Sequence, residues 1–381
     1  MSTIFEQAVQ RDTVPFRHDI VGSFLRTQAI KDARTKFAAS EIDAAALRKI
    51  EDEEIIKLVE KQKEVGLKGV TDGEFRRSWW HLDFFWGLGG VSKKASDTGY
   101  LFHGVESRAE TALLIGKVGE GAKHPMVEDF KFLKSAAGDD VVARQTIPAP
   151  AQLLFELFRG DNIKTVDEFY PNRQDLYTDV ATAYRDAILA FYEAGCRNIQ
   201  LDDCTWGALS DRQFRAMQEE AGVDINEMAK GFLFVNNLAI ENLPADLVVT
   251  THVCRGNFKS TYAGEGGGYD PIAEILFGGS NVSAFYLEYD SERAGGFEPL
   301  KYVKDQQVVL GLFSSKFGEL EDKEQILKRI EEAAQYVDIN QLCVSPQCGF
   351  ASTEEGNVLT EEQQWAKLRF VKEVAEEVWG A

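Results

Sequence analysis

The chain alternates short β-rich runs with amphipathic segments of helical periodicity, and this alternation predicts a parallel sheet within an α/β fold. Several runs are apolar over four or five consecutive residues, as is typical of strands that are buried on both faces. The eight strand candidates are centred on residues 19–24, 69–73, 142–147, 198–202, 247–252, 284–288, 308–313 and 341–345. Eight strands with helices between them favour a closed (β/α)₈ TIM barrel, and a doubly wound sheet is the alternative.

Two of the helical segments carry recognisable capping signals. Ser40 and Asp43 precede a long amphipathic segment that Gly66 ends, and Thr360 with Gln363 forms a capping-box pattern before the last segment. These signals indicate separate helices between the predicted strands.

Residues 79–140 break the alternation, because they are rich in aromatic residues and glycine and contain one further strand candidate at 112–118. This stretch is too long for an ordinary loop between a strand and a helix. We predict an insertion after the second strand, at the mouth of the barrel. No repeat, low-complexity tract or linker interrupts the rest, so we expect one domain over residues 1–381.

The charge of the chain narrows the choice of partners. Lysine and arginine total 42 against 62 aspartate and glutamate residues, so the formal net charge is −20. Such a surface repels nucleic acid and anionic lipid, and we expect neither as a partner. Arg76 and Arg77 form a local basic pair that can still attract an anionic substrate, with little other basic sequence near the predicted mouth.

The compartment is predicted from absent signals and from cysteine usage. No apolar run approaches the ~18 residues of a membrane span, and the first residues lack the basic-then-apolar pattern of a signal peptide. Five cysteines, an odd number in a long chain, argue against a disulfide framework. We therefore expect a cytoplasmic protein that does not bind membranes.

Metal-binding side chains stand where three of the predicted strands end. His252 and Cys254 lie two residues apart, so both point to one side of the fifth strand. Glu288 ends the sixth strand and Cys348 follows the eighth. Because residues at the carboxyl ends of barrel strands face the active-site mouth, we expect the four side chains to converge. Imidazole, two thiolates and a carboxylate suit Zn²⁺.

The charge of this ligand set indicates its chemistry. Two thiolates and a carboxylate outweigh the +2 of zinc, and an electron-rich metal polarises carbonyl groups poorly but still removes the proton of a bound thiol. This disfavours a metal-dependent hydrolase. The alternative is that His252 and Cys254 are core residues. We interpret Cys196 and Cys343 as packing residues, and we leave Cys204, just past the fourth strand, out of the ligand set.

These motifs resemble the zinc ligand set of cobalamin-independent methionine synthase. The resemblance covers most of the chain, in order, and corresponds to the catalytic C-terminal barrel of that family. The run 71–80 is still more similar to short, single-barrel bacterial proteins of the methionine-synthase-like type. The matching segments are 21–24, 72–74, 200–202, 252–254, 288 and 346–349.

The resemblance implies a role for four further residues. Glu74 and Asp202 would hold the α-amino group of homocysteine, and Gly22 with Ser23 would hold its carboxylate. Two carboxylates form a pocket for a cation, and a Gly-Ser turn offers backbone N–H groups to an anion. The alternatives are helix N-capping for Glu74 and Asp202 and a plain tight turn at Gly22.

The departures from the family pattern concern the methyl donor. Residues 147–151 replace the segment where the family stacks the pterin on an aromatic ring, and Lys316 replaces a histidine implicated in proton delivery. Lys316 is thus the candidate proton donor. We expect polyglutamylated methylfolate to be a poor substrate, unless the aromatic residues of 79–86 form a replacement wall.

The sequence therefore predicts a zinc-dependent S-methyltransferase that activates homocysteine or a similar thiol for transfer of a methyl group from a small-molecule donor. One alternative is a corrinoid-linked thiol methyltransferase that uses methylcobalamin, with a corrinoid protein as partner. A second alternative is a non-catalytic barrel that binds zinc or an amino acid at a closed site.

Overall fold

The computed structural model of the protein describes residues 4–380. Seven parallel strands of this part of the chain form one curled sheet, in the order β1, β6, β7, β8, β9, β10, β11. The strands are β1 (Gly69–Val70), β2 (Gly89–Ala95), β3 (Leu101–Phe102), β4 (Val105–Glu106), β5 (Glu110–Gly119), β6 (Val142–Pro148), β7 (Asn198–Asp203), β8 (Val248–Val253), β9 (Ala284–Glu288), β10 (Gln307–Phe313) and β11 (Leu342–Pro346). The fold is α/β and resembles a TIM barrel, and seven of the eight predicted strands are confirmed.

The prediction of a regular strand at residues 19–24 is wrong. The chain there makes a single parallel bridge, between His18 and Val344 of β11. On the other side, the Thr71 hydroxyl donates a hydrogen bond to the Gly22 carbonyl at 2.5 Å. The Gln200 side-chain amide likewise donates to the Val21 carbonyl at 2.7 Å. Side chains donate hydrogen bonds to the backbone carbonyl groups that would otherwise pair with a neighbouring strand. The segment therefore lies between β11 and β1 without forming a regular ladder of backbone hydrogen bonds.

Helices follow most strands of the sheet. The α-helices of residues 4–380 are α1 (Gln28–Ala38), α2 (Ala44–Glu64), α3 (Leu82–Phe85), α4 (Met126–Ala137), α5 (Pro150–Leu157), α6 (Ile163–Phe169), α7 (Arg173–Glu193), α8 (Thr205–Ser210), α9 (Arg212–Glu220), α10 (Ile225–Ala239), α11 (Ala273–Gly279), α12 (Lys323–Ala333) and α13 (Glu361–Trp379). Short 3₁₀ helices span Phe5–Gln7, Gly121–Lys123, Gly160–Asn162, Glu292–Ala294, Glu298–Tyr302 and Ile339–Gln341. None of the described helices is both long and apolar enough for a membrane span.

The capping signals of Asp43 and of Thr360 with Gln363 act as the sequence predicts, whereas Ser40 lies in the turn before α2 and does not cap it. The Asp43 carboxylate accepts a hydrogen bond from the first turn of α2, and Thr360 and Gln363 form a reciprocal capping box at the start of α13. Each cap satisfies backbone N–H groups that have no partner inside the helix. The helices thereby start at defined positions against the sheet.

Residues 79–140 contain two antiparallel strand pairs outside the main sheet, together with helices α3 and α4. Strand β2 pairs with β5, which covers the strand candidate at 112–118, and β3 pairs with β4 in a short hairpin. The His103 ring bonds the Gly264 carbonyl at 2.7 Å, and the Phe102 ring stacks on Phe258. The hairpin thus contacts the loop that follows β8.

A buried ion pair holds the 17–24 segment in the sheet interior. The Arg144 guanidinium lies 2.8 Å from the Asp19 carboxylate, and both side chains are almost completely buried. The Tyr286 hydroxyl donates a second hydrogen bond to Asp19 at 2.9 Å, and Arg144 donates to the Asn198 side chain at 2.6 Å. The segment is therefore tied to β6, β7 and β9.

Replacing Arg144 by methionine is expected to lower the free energy of unfolding by about 3–5 kcal/mol, because Asp19 is left buried without its counter-charge. Urea denaturation of the purified variant measures this. The double variant Asp19→Asn/Arg144→Met should lose less stability, since it removes both charges. A loss below about 0.5 kcal/mol in Arg144→Met, the range of neutral surface changes, would contradict the assignment.

Candidate metal centre and adjoining cleft

Four metal-binding side chains converge at the carboxyl edge of the sheet. His252 belongs to β8, Cys254 directly follows it, Glu288 ends β9, and Cys348 lies two residues past β11. The carboxyl ends of parallel neighbouring strands meet at one edge, so these positions come together although they span 97 residues of sequence. One candidate ligand atom from each lies within 4.8 Å of the others, and all four residues are buried.

The hydrogen bonds of His252 fix which ring nitrogen faces the cluster. Its Nδ1 lies 3.2 Å from the Tyr286 carbonyl, which only accepts, so the proton resides on Nδ1. Its Nε2 is buried without a hydrogen-bond partner and lies 3.7 Å from a Glu288 oxygen. Burial lowers the pKa of His252 to about 3, which keeps the ring neutral. A neutral imidazole with a free lone pair is the form that binds a metal.

The surroundings raise the pKa values of the acidic members of the cluster. Hydrogen bonding to Cys204 and burial raise the pKa of the Cys254 thiol. Hydrogen bonding to Cys254 and burial do the same for Cys348, whose sulfur lies 4.0 Å from that of Cys254. Burial raises the pKa of Glu288 to about 7. A divalent cation would reverse these shifts, so the donor set fits a borderline-soft metal.

Glu74 and Asp202 lie beside this cluster, each with one oxygen that has no partner. The Glu74 Oε1 atom accepts a hydrogen bond from the Thr146 hydroxyl at 2.8 Å and lies 3.3 Å from the Arg77 guanidinium. Its Oε2 atom and the Asp202 Oδ1 atom are buried and unbonded. Asp202 Oδ1 lies 4.0 Å from the Nε2 atom of His252. Burial raises the pKa of Glu74, and burial together with repulsion by Glu74 raises the pKa of Asp202.

Neither carboxylate caps a helix, so the capping alternative is wrong. Helix α8 begins after Cys204 and has no side-chain cap, and α3 begins at Leu82, well after Glu74. Glu74 itself has a left-handed backbone with φ of 61°, a conformation that is unusual for a residue with a side chain. The two residues share the feature of an unbonded oxygen next to the metal cluster.

Gly22 and Ser23 pack against the loop that carries Cys348. The Ser23 carbonyl accepts a hydrogen bond from the Phe350 N–H at 2.9 Å, and its hydroxyl accepts from the Ala351 N–H at 3.3 Å. A Cβ at Gly22 would lie 2.5 Å from a Thr146 methyl group. Close packing, in addition to a turn, therefore requires glycine there.

Lys316 is buried on the other side of the cluster. Its ammonium lies 3.5 Å from an Asp290 carboxylate oxygen. Burial by itself lowers the pKa of Lys316, but Glu288 and Asp290 outweigh it and the pKa is raised. The lysine is therefore a fixed positive charge next to the cluster, and it is not among the residues that line the adjoining cleft.

A cleft of about 820 Å³ opens directly onto Cys254. It offers the thiol Cys204, which the sequence analysis left out and which lies next to Cys254. Aromatic rings form part of its remaining wall. The ring-bearing residues are Trp79, Trp80, His81, Tyr100, Phe102, Phe155, Phe214 and Phe258.

Most of the residues that line this cleft were therefore not predicted from the sequence. Trp79 and Trp80 do supply an aromatic wall, whereas Phe84 and Phe85 are buried in the core. The basic pair 76–77 does not line the cleft: Arg76 pairs with Glu51 and Asp52. The basic residues of the cleft are instead Arg159, Arg255 and Arg293. Local sequence could not place them, because they come from three loops that meet only in the fold.

The family profile of the cobalamin-independent synthase catalytic domain matches residues 16–377. The chain belongs to the cobalamin-independent synthase family. This family is that of the methionine-synthase-like methyltransferases, and it confirms the resemblance found in the sequence. The corrinoid partner considered as an alternative finds no support in a cobalamin-independent family.

Relatives of this chain range from about half to about a quarter of identical residues. The uncharacterized protein YxjG of Bacillus subtilis (strain 168) is 51% identical over 98% of this chain and 97% of its own length. A 5-methyltetrahydropteroyltriglutamate–homocysteine methyltransferase of Thermosynechococcus vestitus is 24% identical over 90% of this chain, which spans 41% of that relative.

Among solved structures, a proposed vitamin-B12-independent methionine synthase of Listeria monocytogenes is similar to this chain over nearly its whole length. It has 42% sequence identity and a TM-score of 0.76, and covers 97% of this chain and 100% of that one. A B12-independent methionine synthase of Shewanella sp. W3-18-1, solved with selenomethionine, shares the fold, with 18% identity and a TM-score of 0.70 over 95% of this chain and 97% of that one.

Proposed function

We propose that this synthase is a zinc-dependent S-methyltransferase that methylates homocysteine or a similar thiol. The observation that carries the proposal is the position of Glu74 and Asp202. The buried, unbonded Oδ1 atom of Asp202 lies 4.0 Å from His252 of the four-residue cluster that could hold a metal, and the charge of Glu74, whose Oε2 atom is also buried and unbonded, acts directly on Asp202. A thiol that also carries an ammonium group satisfies both features at once, because its sulfur and its cation are only a few bonds apart.

Zinc is the proposed metal, held by His252, Cys254, Glu288 and Cys348. When bound, it would lower the pKa of a substrate thiol and leave the sulfur nucleophilic. The chain itself orients the imidazole through Tyr286 and offsets the negative charge of the ligands with the Lys316 ammonium. We infer this electrostatic role for Lys316, rather than proton donation, because the lysine does not line the cleft.

The substrate amino group is proposed to lie between Glu74 Oε2 and Asp202 Oδ1, and the carboxylate near the backbone of Gly22 and Ser23. Both carboxylates would then be ionised, because an ammonium ion offsets the burial that raises their pKa values. Positioning of the thiol in line with the methyl group is the main contribution of the protein to the rate.

The donor is proposed to be a small methylated folate that occupies the aromatic cleft. Flat rings stack on tryptophan and phenylalanine, and a cleft of this size would be superfluous beside a closed structural zinc site, which argues against a non-catalytic protein. We further infer that residues 1–381 form one catalytic domain, that 79–140 is an insertion covering its mouth, and that the protein is cytoplasmic.

The test combines metal content, a metal spectrum and turnover. We expect about one zinc per chain, and methionine formation from homocysteine and methyltetrahydrofolate. In the cobalt-substituted protein, homocysteine should change the visible absorption, because another sulfur reaches the metal. An unchanged spectrum at saturating homocysteine would contradict thiol activation, and turnover with methylcobalamin alone would favour the corrinoid alternative. Serine, which has no thiol, serves as the control ligand.

A further inference from the structure

We propose that Arg255 and Arg293 form an anion subsite in the cleft, which binds a carboxylate group of the methyl donor. This inference rests on the proposed function, because it assigns a chemical class to the donor of that reaction. It concerns side chains that play no part in the metal cluster or the amino-group pocket described above.

Arg255 directly follows the metal-binding residue Cys254, and its side chain lines the cleft. The residue is 6% exposed. One guanidinium nitrogen donates to the Arg293 carbonyl at 2.8 Å, whereas Nη1 has no hydrogen-bond partner. A buried guanidinium N–H without a partner is costly, and an anion is the partner that removes the cost most fully.

Arg293 lies beside it and is half-buried. It donates to the Ala263 carbonyl at 2.8 Å, its Nε has no partner, and its guanidinium lies 3.7 Å from the centre of the Tyr262 ring. The Arg255 backbone N–H donates to the Glu288 carboxylate at 3.0 Å, but neither guanidinium group has a carboxylate oxygen within salt-bridge distance in the described part of the chain, and Glu288 and Asp290 act on Arg293 only through the longer-range field. Backbone carbonyls and aromatic rings therefore hold both guanidinium groups in place without a direct ion pair.

The other positively charged side chains near the cleft already have interaction partners. Arg159 also lines it, but this side chain donates to the Thr98 and Gly99 carbonyls and lies 3.6 Å from the buried Glu156. Lys316 faces Asp290. In a chain of net charge −20, two neighbouring guanidinium groups without acidic partners are unlike their surroundings.

The loop that contains Gly266 packs closely against both arginines. Gly266 has a left-handed backbone with φ of 85°, and a Cβ there would lie 3.2 Å from Arg293 Cβ and 3.4 Å from Arg255 Nη2. The loop can approach both side chains this closely because residue 266 is glycine. Arg293 also lines a second cavity of about 280 Å³ that continues beyond this loop.

The side chains that line the cleft indicate the chemical class of its ligand. Aromatic rings such as Trp80 and Phe214 favour a flat ring system, and the arginine pair favours an acidic group on the same molecule. A donor with a planar ring and a carboxylate tail satisfies both parts of the cleft. The negative net charge of the protein led us to expect poor binding of a donor with a negatively charged tail. The arginine pair argues against that expectation, because a local positive site outweighs the mean charge of the protein at short range.

The test measures binding of 5-methyltetrahydrofolate, with one and with three glutamates, by calorimetry to zinc-loaded protein. Arg255→Gln and Arg293→Gln are expected to raise Kd by about 10- to 100-fold, the usual effect of losing a hydrogen bond to a charged group. Arg255→Lys, which keeps the charge, should recover part of the affinity. Arg369→Gln, which removes an exposed positive charge on α13, is the matched control and should bind like wild type.

Zinc content and the homocysteine-induced cobalt spectrum should stay unchanged in the arginine variants, which separates donor binding from damage to the metal cluster. Wild-type Kd values in both glutamine variants would overturn the subsite, as would failure of the wild-type protein to bind either folate. Binding that depends on the arginines without methyl transfer to homocysteine would support the subsite and overturn the proposed function instead.

Discussion

Replacing Cys254 and Cys348 together by serine is expected to remove the metal and abolish methyl transfer. Loss of residues that merely orient metal ligands costs about 10- to 100-fold in metal affinity, and loss of two thiolate ligands should exceed that range. The two sulfurs lie 4.0 Å apart and belong to separate loops after β8 and β11, so the double variant removes thiolate ligands from two different elements of the cluster.

The measurement is zinc content after dialysis against a weak chelator, together with turnover and thermal unfolding. The matched control is Cys196→Ser. Cys196 is fully buried and its sulfur donates to the Asn198 carbonyl at 3.2 Å, a bond that a serine hydroxyl can keep. This control should retain zinc. Full zinc occupancy in the Cys254/Cys348 double variant would show that the ligand assignment is wrong.

Removing the charge of Glu74 or Asp202 is expected to weaken homocysteine binding by about 10²- to 10³-fold, because removing one partner of a buried ion pair costs about 3–5 kcal/mol. Glu74→Gln and Asp202→Asn keep the size of each side chain, so the loss reports charge rather than packing. Zinc content should remain near wild type, because neither residue belongs to the four-ligand cluster.

The control for this prediction is a ligand rather than a variant. 4-Mercaptobutyrate carries the thiol and the carboxylate of homocysteine but has no amino group. It should bind wild type weakly and should lose no further affinity in Glu74→Gln or Asp202→Asn. If the variants weaken both ligands equally, the carboxylates do not recognise the ammonium group, and loss of zinc would place them among the metal ligands.

Much of the metal centre was predictable because its signals are local. His252 and Cys254 are two residues apart on one strand, and Glu288 and Cys348 follow strands that periodicity identifies. Once a parallel sheet is predicted, the carboxyl ends of its strands must meet, so convergence follows without knowledge of the loops. The capping residues of α2 and α13 were predictable for the same reason, since a cap depends on three or four consecutive residues.

The cleft was not predictable, because its residues belong to segments that are distant in sequence. In the sequence, Arg255 is notable only because it follows a candidate metal ligand, and no motif surrounds Arg293. The Arg76–Arg77 pair was conspicuous as a basic run, yet Arg76 lies in an ion-pair network with Glu51 and Asp52. A run of charged residues in the sequence shows which side chains line a cleft only when the ion-pair partners of those residues are known.

The sequence by itself determined the α/β alternation, seven strands of the sheet, the helix caps and the four side chains that could hold a metal, since each depends on periodicity or on neighbouring residues. Only the tertiary structure decided that residues 19–24 form no regular strand, because side chains of β6 and β7 bond that segment across the interior. It also decided which oxygens of Glu74 and Asp202 stay unbonded and which arginines face the cleft. These properties depend on what lies opposite each group in space, which the order of residues along the chain does not specify.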